Sequence, residues 1–188
     1  KQPMRVWFNT GFSSLHTALR LLHQGAVQAG QGGVVLCASG AHPQSLVALA
    51  ADQYWVEPAG LATADYVQWC LDTCRQQAID VLVPGKAVRA LVAQSARFAA
   101  QGTRILAAGD ADTLALLDDK ARFYAAVDCP PAPAPESITV HTLEEFDAAY
   151  AALAARHAEV CTKPAVGVYG IGFRRIRTDV SARQSTLY

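Results

Sequence analysis

MRVWFNTGFSSLHTALRLLHQGAVQAGQGGVVLCA, residues 4–38, decides the fold. Met4 to Asn9 is an apolar run of strand length, and Thr10 to Ser14 has turn composition. Apolar residues then recur at Leu15, Ala18, Leu19 and Leu22 with helical spacing. A hydroxyl of Ser13 or Ser14 suits the helix cap, and Gly25 or Gly30 its end. Gly33 to Ala38 is a second continuous, β-branched run, the pattern of a strand covered on both faces. Strand, helix and parallel strand follow within 35 residues, and one sheet with a right-handed crossover is what that order implies.

The same alternation continues. His42-Pro43 opens a second helix to about Ala51, and Asp52–Glu57 is a third strand closed by Pro58. Thr63–Ile79 carries a helical stripe at Tyr66, Val67, Cys70, Leu71 and Cys74. Asp80–Pro84 is a fourth strand, Lys86–Gln101 a fourth helix and Thr103–Ala108 a fifth strand. The reading is a doubly wound parallel α/β sheet, whose ligands sit beyond the carboxyl ends of the strands. No GxGxxG follows the first strand, which disfavours a dinucleotide enzyme.

Two short helices over Asp110–Leu117 and Asp118–Val127 precede Cys129-Pro-Pro-Ala-Pro-Ala-Pro135, a stiff linker. Beyond it come a strand-like Ser137–His141 and a capping box, Thr142-Leu-Glu-Glu145, opening a helix to about His157. A strand over Val160–Pro164, a glycine-rich turn and a returning strand from Phe173 complete a second, α+β unit. The expected boundary leaves 1–112 as the α/β domain and 113–188 as the second.

Of the 188 residues, 52% are apolar and 17% charged, so a sizeable core can form. Sixteen basic residues balance sixteen acidic ones without a basic run, which argues against nucleic acid or anionic lipid as partner. Apolar stretches stop short of the roughly 18–20 residues of a membrane span. An odd number of cysteines, five, fits reduced thiols and a cytoplasmic location. Cys70 and Cys74, one turn apart, read as helix-packing residues, and the five histidines show no ligand spacing.

Chemistry concentrates in the second unit. Gly167, Gly170 and Gly172 follow a strand ending in Lys163-Pro164, so backbone N–H groups and one ammonium sit where phosphate oxygens would be cradled. The lysine precedes the glycines, which excludes a Walker A loop. On the first unit's ligand side, Thr10, Ser13 and Ser14 offer hydroxyls at a helix start to an acceptor carboxylate, and Lys86 faces the same side.

Three stretches, DDKARFYAAV (Asp118–Val127), TLEEFDAAYAAL (Thr142–Leu153) and CTKPAVGVYGIGF (Cys161–Phe173), stand in an order that resembles the ATP-grasp superfamily. The first unit then looks like that family's pre-ATP-grasp domain, and the second like the start of its nucleotide-binding fold. The resemblance implies ATP and Mg²⁺ as cofactors, with Lys120 and Lys163 on the nucleotide phosphates beneath a flap carrying Gly167, Gly170 and Gly172. It implies ligation of a small-molecule carboxylate to an amine through an acylphosphate. Adenine contacts and metal ligands would lie downstream of Tyr188, so the chain reads as the amino-terminal part of a longer enzyme, a homodimer by analogy. The alternative is a non-catalytic α/β module binding a small molecule or partner.

Overall fold

The structure, a computed structural model, describes residues 2–9, 14–28, 33–127, 129–167 and 170–177. The chain separates into two compact units, Lys1–Asp112 and Thr113–Tyr188. In the first, the strands are β1 (Met4–Asn9), β2 (Val34–Gly40), β3 (Gln53–Val56), β4 (Val81–Pro84) and β5 (Arg104–Ile105). They form one sheet in the order β3-β2-β1-β4-β5, every neighbouring pair parallel. Between them run α1 (Leu15–Gln28), α2 (Leu46–Ala50), α3 (Thr63–Gln76), α4 (Val88–Val92) and α5 (Ser95–Ala100). The α/β sheet read from the sequence is the sheet that forms.

The pleat of β1 sorts the core into two layers. Trp7, with Cys37 and Leu82 from the flanking strands, packs on Tyr66, Val67, Cys70, Leu71 and Cys74 of α3 and on Leu91 and Phe98 of α4 and α5. Val6 and Phe8 point the other way, into a layer of Leu19, Leu36 and Ala38 with Val47 and Tyr54. Trp7 is fully buried. Its ring centroid lies 5.3 Å from that of Trp55, and Trp69 meets it edge-on at 5.6 Å.

Several boundaries differ from the sequence reading for local reasons. α1 continues through Gly25, where the helix is open to solvent. The cost of about 1 kcal/mol for an exposed helical glycine is offset by the packing of the Leu19 face. α2 starts late because Ser45, whose hydroxyl accepts from Val47 N–H at 3.2 Å, is the cap, while Tyr54 donates to the His42 carbonyl at 2.7 Å. The fourth helix is two, because Ser95 donates to the Val92 carbonyl at 2.6 Å where the turn is interrupted. The break lets Leu91 and Phe98 both be fully buried. β5 is only two residues long.

In the second unit, α7 (Lys120–Ala126) follows α6 (Ala111–Asp118), which spans the junction. After them come α8 (Leu143–Ala154) and an antiparallel pair, β6 (Glu159–Thr162) and β7 (Arg174–Arg177). The strand expected over Ser137–His141 does not form: this segment has no sheet partner among the described residues and lies extended. None of the described helices is long and apolar enough to cross a membrane.

Burial pushes the Cys70 and Cys74 thiols up to about 12 and raises Cys37 in the same direction, whereas Cys129 and Cys161 are exposed. In native protein at pH 8, iodoacetamide is expected to alkylate Cys129 and Cys161 and spare the other three, as read by peptide mass spectrometry. Labelling of Cys70 or Cys74 at the rate of Cys161 would contradict the packing described.

Candidate functional site

In the second unit two lysines from separate elements meet one hairpin. α7 begins where it does because the Asp119 carboxylate caps it, accepting from Ala121 and Arg122 N–H at 3.0 and 3.1 Å. This makes Lys120 the first helical residue. Its backbone N–H donates to Ala165 carbonyl at 2.9 Å, Asp119 forms an antiparallel bridge with Val166, and the Lys120 ammonium donates to Gly167 carbonyl at 2.9 Å. Lys163 leaves the end of β6 exposed to solvent, and its ammonium donates to the Tyr124 hydroxyl, 4.5 Å from the ring centroid.

α8 is set by the capping box read from the sequence. The Thr142 hydroxyl accepts from Glu145 N–H at 3.1 Å, and the Glu145 carboxylate reaches back to His141 N–H at 2.6 Å. Phe146, Ala149, Tyr150 and Leu153, at helical spacing, line one side of a cavity of about 230 Å³. The extended residues 135–140, β6 and the Lys120–Tyr124 face of α7 complete it. Glu136 ties the extended segment to the carboxyl end of α8 through His157 at 2.8 Å and through the Arg156 guanidinium. The His157 hydrogen bond, with the Arg156 charge, holds the Glu136 carboxyl below its ordinary range. The result is an apolar hollow with two ammonium groups at its margin, a shape suited to a ligand with an anionic tail.

The described part of the hairpin depends on its glycines. Phe173 N–H donates to the Gly170 carbonyl at 2.9 Å, and Gly170 and Gly172 adopt φ of 71° and 81°. A Cβ on Gly172 would stand 2.8 Å from the Pro164 ring, while one on Gly167 would make ordinary contact at 3.6 Å. Across the pair, Val160 and Ile176 are buried opposite each other, and Arg175 pairs with Glu159 at 2.8 Å.

At the carboxyl edge of the first unit's sheet lies a polar network that the sequence reading did not assemble. Asn9, 1% exposed, donates to the Tyr66 hydroxyl at 2.9 Å and to the Lys86 carbonyl at 3.2 Å. It accepts from Gly85 and Lys86 N–H at 2.7 and 3.3 Å. Glu57, 5% exposed, accepts from Ser39 at 2.8 Å, from Tyr66 at 3.0 Å and from the Lys86 ammonium at 3.2 Å. That ammonium also lies 4.2 Å from the centroid of the Tyr66 ring, and Ala87 beyond it is left-handed at φ 52°. Burial, the dominant effect, raises the Tyr66 phenol well above its ordinary value, so it remains a donor throughout the working pH range. Ser14 is exposed, its carbonyl accepting from Thr17 and Ala18 N–H; Thr10 and Ser13 lie outside the described residues. A signal for this network was present in Asn9 and Glu57, polar residues ending apolar runs at the carboxyl edge of the sheet.

Two outcomes follow from this geometry. Asn9→Leu strands the Gly85 and Lys86 N–H groups and is expected to cost about 2–4 kcal/mol in denaturant unfolding, since each unsatisfied buried group costs about 1–3; a loss under 0.5 would deny Asn9 its bracing role. In the hairpin, alanine at Gly172 should weaken hydrogen-exchange protection of the β6–β7 amides most. Alanine at Gly170, with about 1–2 kcal/mol of left-handed strain, should do so less, and at Gly167 hardly at all. Equal effects at Gly167 and Gly172 would contradict the Pro164 contact.

No protein-family profile and no curated protein matches the sequence. Solved structures do. The biotin carboxylase domain of Hydrogenobacter thermophilus 2-oxoglutarate carboxylase, a dimer with MgADP, ADP and bicarbonate, superimposes with a TM-score of 0.65 at 14% identity, over 94% of this chain and 38% of that one. N5-carboxyaminoimidazole synthetase from Staphylococcus aureus, in complex with ADP, gives 0.59 at 14% identity over 94% and 41%. N5-carboxyaminoimidazole ribonucleotide synthetase from Thermotoga maritima gives 0.55 at 18% identity over 93% and 41%. The chain thus spans about two fifths of the length of each of these structures. Over the part of these structures that it covers, the chain shares their fold, here a five-stranded parallel sheet and, in the second unit, an antiparallel pair.

Proposed function

We propose that this chain is the amino-terminal part of an ATP-dependent ligase that joins a small-molecule carboxylate to an amine through an acylphosphate, with ATP and Mg²⁺ as cofactors in the cytoplasm. The observation that carries the reading is the state of the two lysines. Lys120 and Lys163 rest on a backbone carbonyl and a phenol, both neutral. Their charge is uncompensated by these partners, and exchange onto phosphate oxygens replaces neutral acceptors by charged ones, which hold an ammonium more strongly.

These residues suit a polyphosphate: two cations on the lining of an apolar hollow, followed in the chain by a glycine-rich hairpin. Bound ATP supplies the phosphoryl group that activates the carboxylate. Lys120 and Lys163 would hold its phosphates and offset the charge that develops there, and the hairpin carrying Gly167, Gly170 and Gly172 would exclude water. Among the described residues no group of three or more His, Cys, Asp or Glu could hold a metal, so no Mg²⁺ ligand is assigned to them. We assign the acceptor carboxylate to the segment with Thr10, Ser13 and Ser14 that follows β1 in the chain. Lys86 has the opposite balance to the hairpin lysines: giving its ammonium to a substrate would leave buried Glu57 without its cation. We therefore assign it to holding the sheet edge.

Thermal unfolding of the full-length protein with and without MgATP tests the reading. Nucleotide at about a hundredfold above Kd adds about 2.7 kcal/mol to the native state, a rise of several degrees in Tm. That rise should shrink in Lys163→Ala and in Lys120→Ala, neither of which should lower the nucleotide-free Tm appreciably. No rise in the wild type would overturn the proposal, and an undiminished rise in Lys163→Ala would remove that lysine from the site.

A further inference from the structure

We infer that Tyr124 is a positioning residue: its hydroxyl holds the Lys163 ammonium at the hairpin before nucleotide enters, so that the lysine meets the phosphates already oriented. The inference rests on the ligase reading above and adds a residue to it. Lys120 and Tyr124 are four residues apart on α7 and so share one face of that helix. Each engages one end of the same short stretch, Lys120 the Gly167 carbonyl and Tyr124 the ammonium of Lys163. Both also line the cavity. The helix face therefore fixes the spacing between the two cations as well as the root of the hairpin, where Lys120 N–H and Asp119 bind Ala165 and Val166.

The choice of a phenol matters chemically. A carboxylate at this place would neutralise Lys163 and compete with phosphate. An apolar side chain would leave a solvent-exposed, four-carbon chain to be ordered only on binding. A neutral hydroxyl orients the ammonium without cancelling its charge, and it releases the ammonium readily to a charged oxygen. Ordering one such side chain on association weakens binding about threefold to tenfold, and this is the affinity that the Tyr124 hydroxyl contributes.

Tyr124→Phe keeps the ring and removes only the hydroxyl, and two measurements on the full-length protein read its effect. In calorimetric titration with MgATP, Tyr124→Phe should weaken binding about threefold to tenfold in the wild type, the ordering cost just given. In a Lys163→Met background it should change affinity by less than about 1.5-fold, because residues acting through one contact are not additive. In nucleotide-free protein, acetic anhydride should modify Lys163 severalfold faster in Tyr124→Phe, as read by peptide mass spectrometry. Unchanged affinity, or an equal loss in both backgrounds, would overturn the positioning role, and so would an unchanged rate of Lys163 modification. Should the wild type fail to bind MgATP while the modification rate still rises, the contact stands but the ligase reading falls, and the nucleotide role of Tyr124 falls with it.

Discussion

The side-chain amide of Asn9 is the point on which the first unit depends. An asparagine side chain can donate twice and accept twice, and here it makes four hydrogen bonds, reaching Tyr66, Gly85 and both backbone groups of Lys86. β1 and β4 are the strands between which the chain reverses its direction of travel across the sheet, so the crevice that doubly wound folds offer to ligands opens between their carboxyl ends. Asn9 ties β1 to the end of β4 there, and Glu57 extends the network to β2 through Ser39, whose hydroxyl in turn accepts from the Trp7 indole at 3.0 Å. Core and edge are thus one structure: the ring that centres the apolar layer hands its only donor to the network at the sheet edge. The left-handed Ala87 is held in place by the same bonds on its neighbour.

Much of this was legible because the signals were local. The period and length of the apolar runs gave β1 within its observed limits, and the capping box at Thr142 and Glu145 appears with both of its reciprocal bonds, the second displaced by one residue to His141 N–H. Misreadings arose where the same local composition suits more than one outcome. Nothing near Ser95 says that its hydroxyl will take the Val92 carbonyl and divide a helix, and nothing in Gly25 says that packing at Leu19 will carry α1 past it. The segment 137–141 has strand composition, but a strand needs a neighbour, and among the described residues no strand pairs with it. In the candidate site, the lysines and glycines were legible as residue types at suggestive spacings. That Tyr124 stands against Lys163 was not, since 39 residues separate them in sequence.

The three lysines singled out from the sequence differ in what their ammonium groups already touch, and that difference ranks them. Lys86 lies between a carboxylate with 2% of its side chain exposed and an aromatic face. Its charge is balanced, and removing it would uncover an ion that water cannot reach, a change that costs several kcal/mol where it has been measured. Lys120 and Lys163 touch neutral oxygens beside a hollow that both residues line, and a new anion would displace nothing charged from them. A lysine serving structure is recognised by an acid that would be orphaned without it; a lysine available for a ligand is recognised by partners that lose little when it leaves. By this criterion the two lysines with neutral partners lie in the second unit, and the lysine of the first unit belongs to the polar network at its sheet edge. The sequence, which shows three lysines after strands or at a helix start, draws no such line.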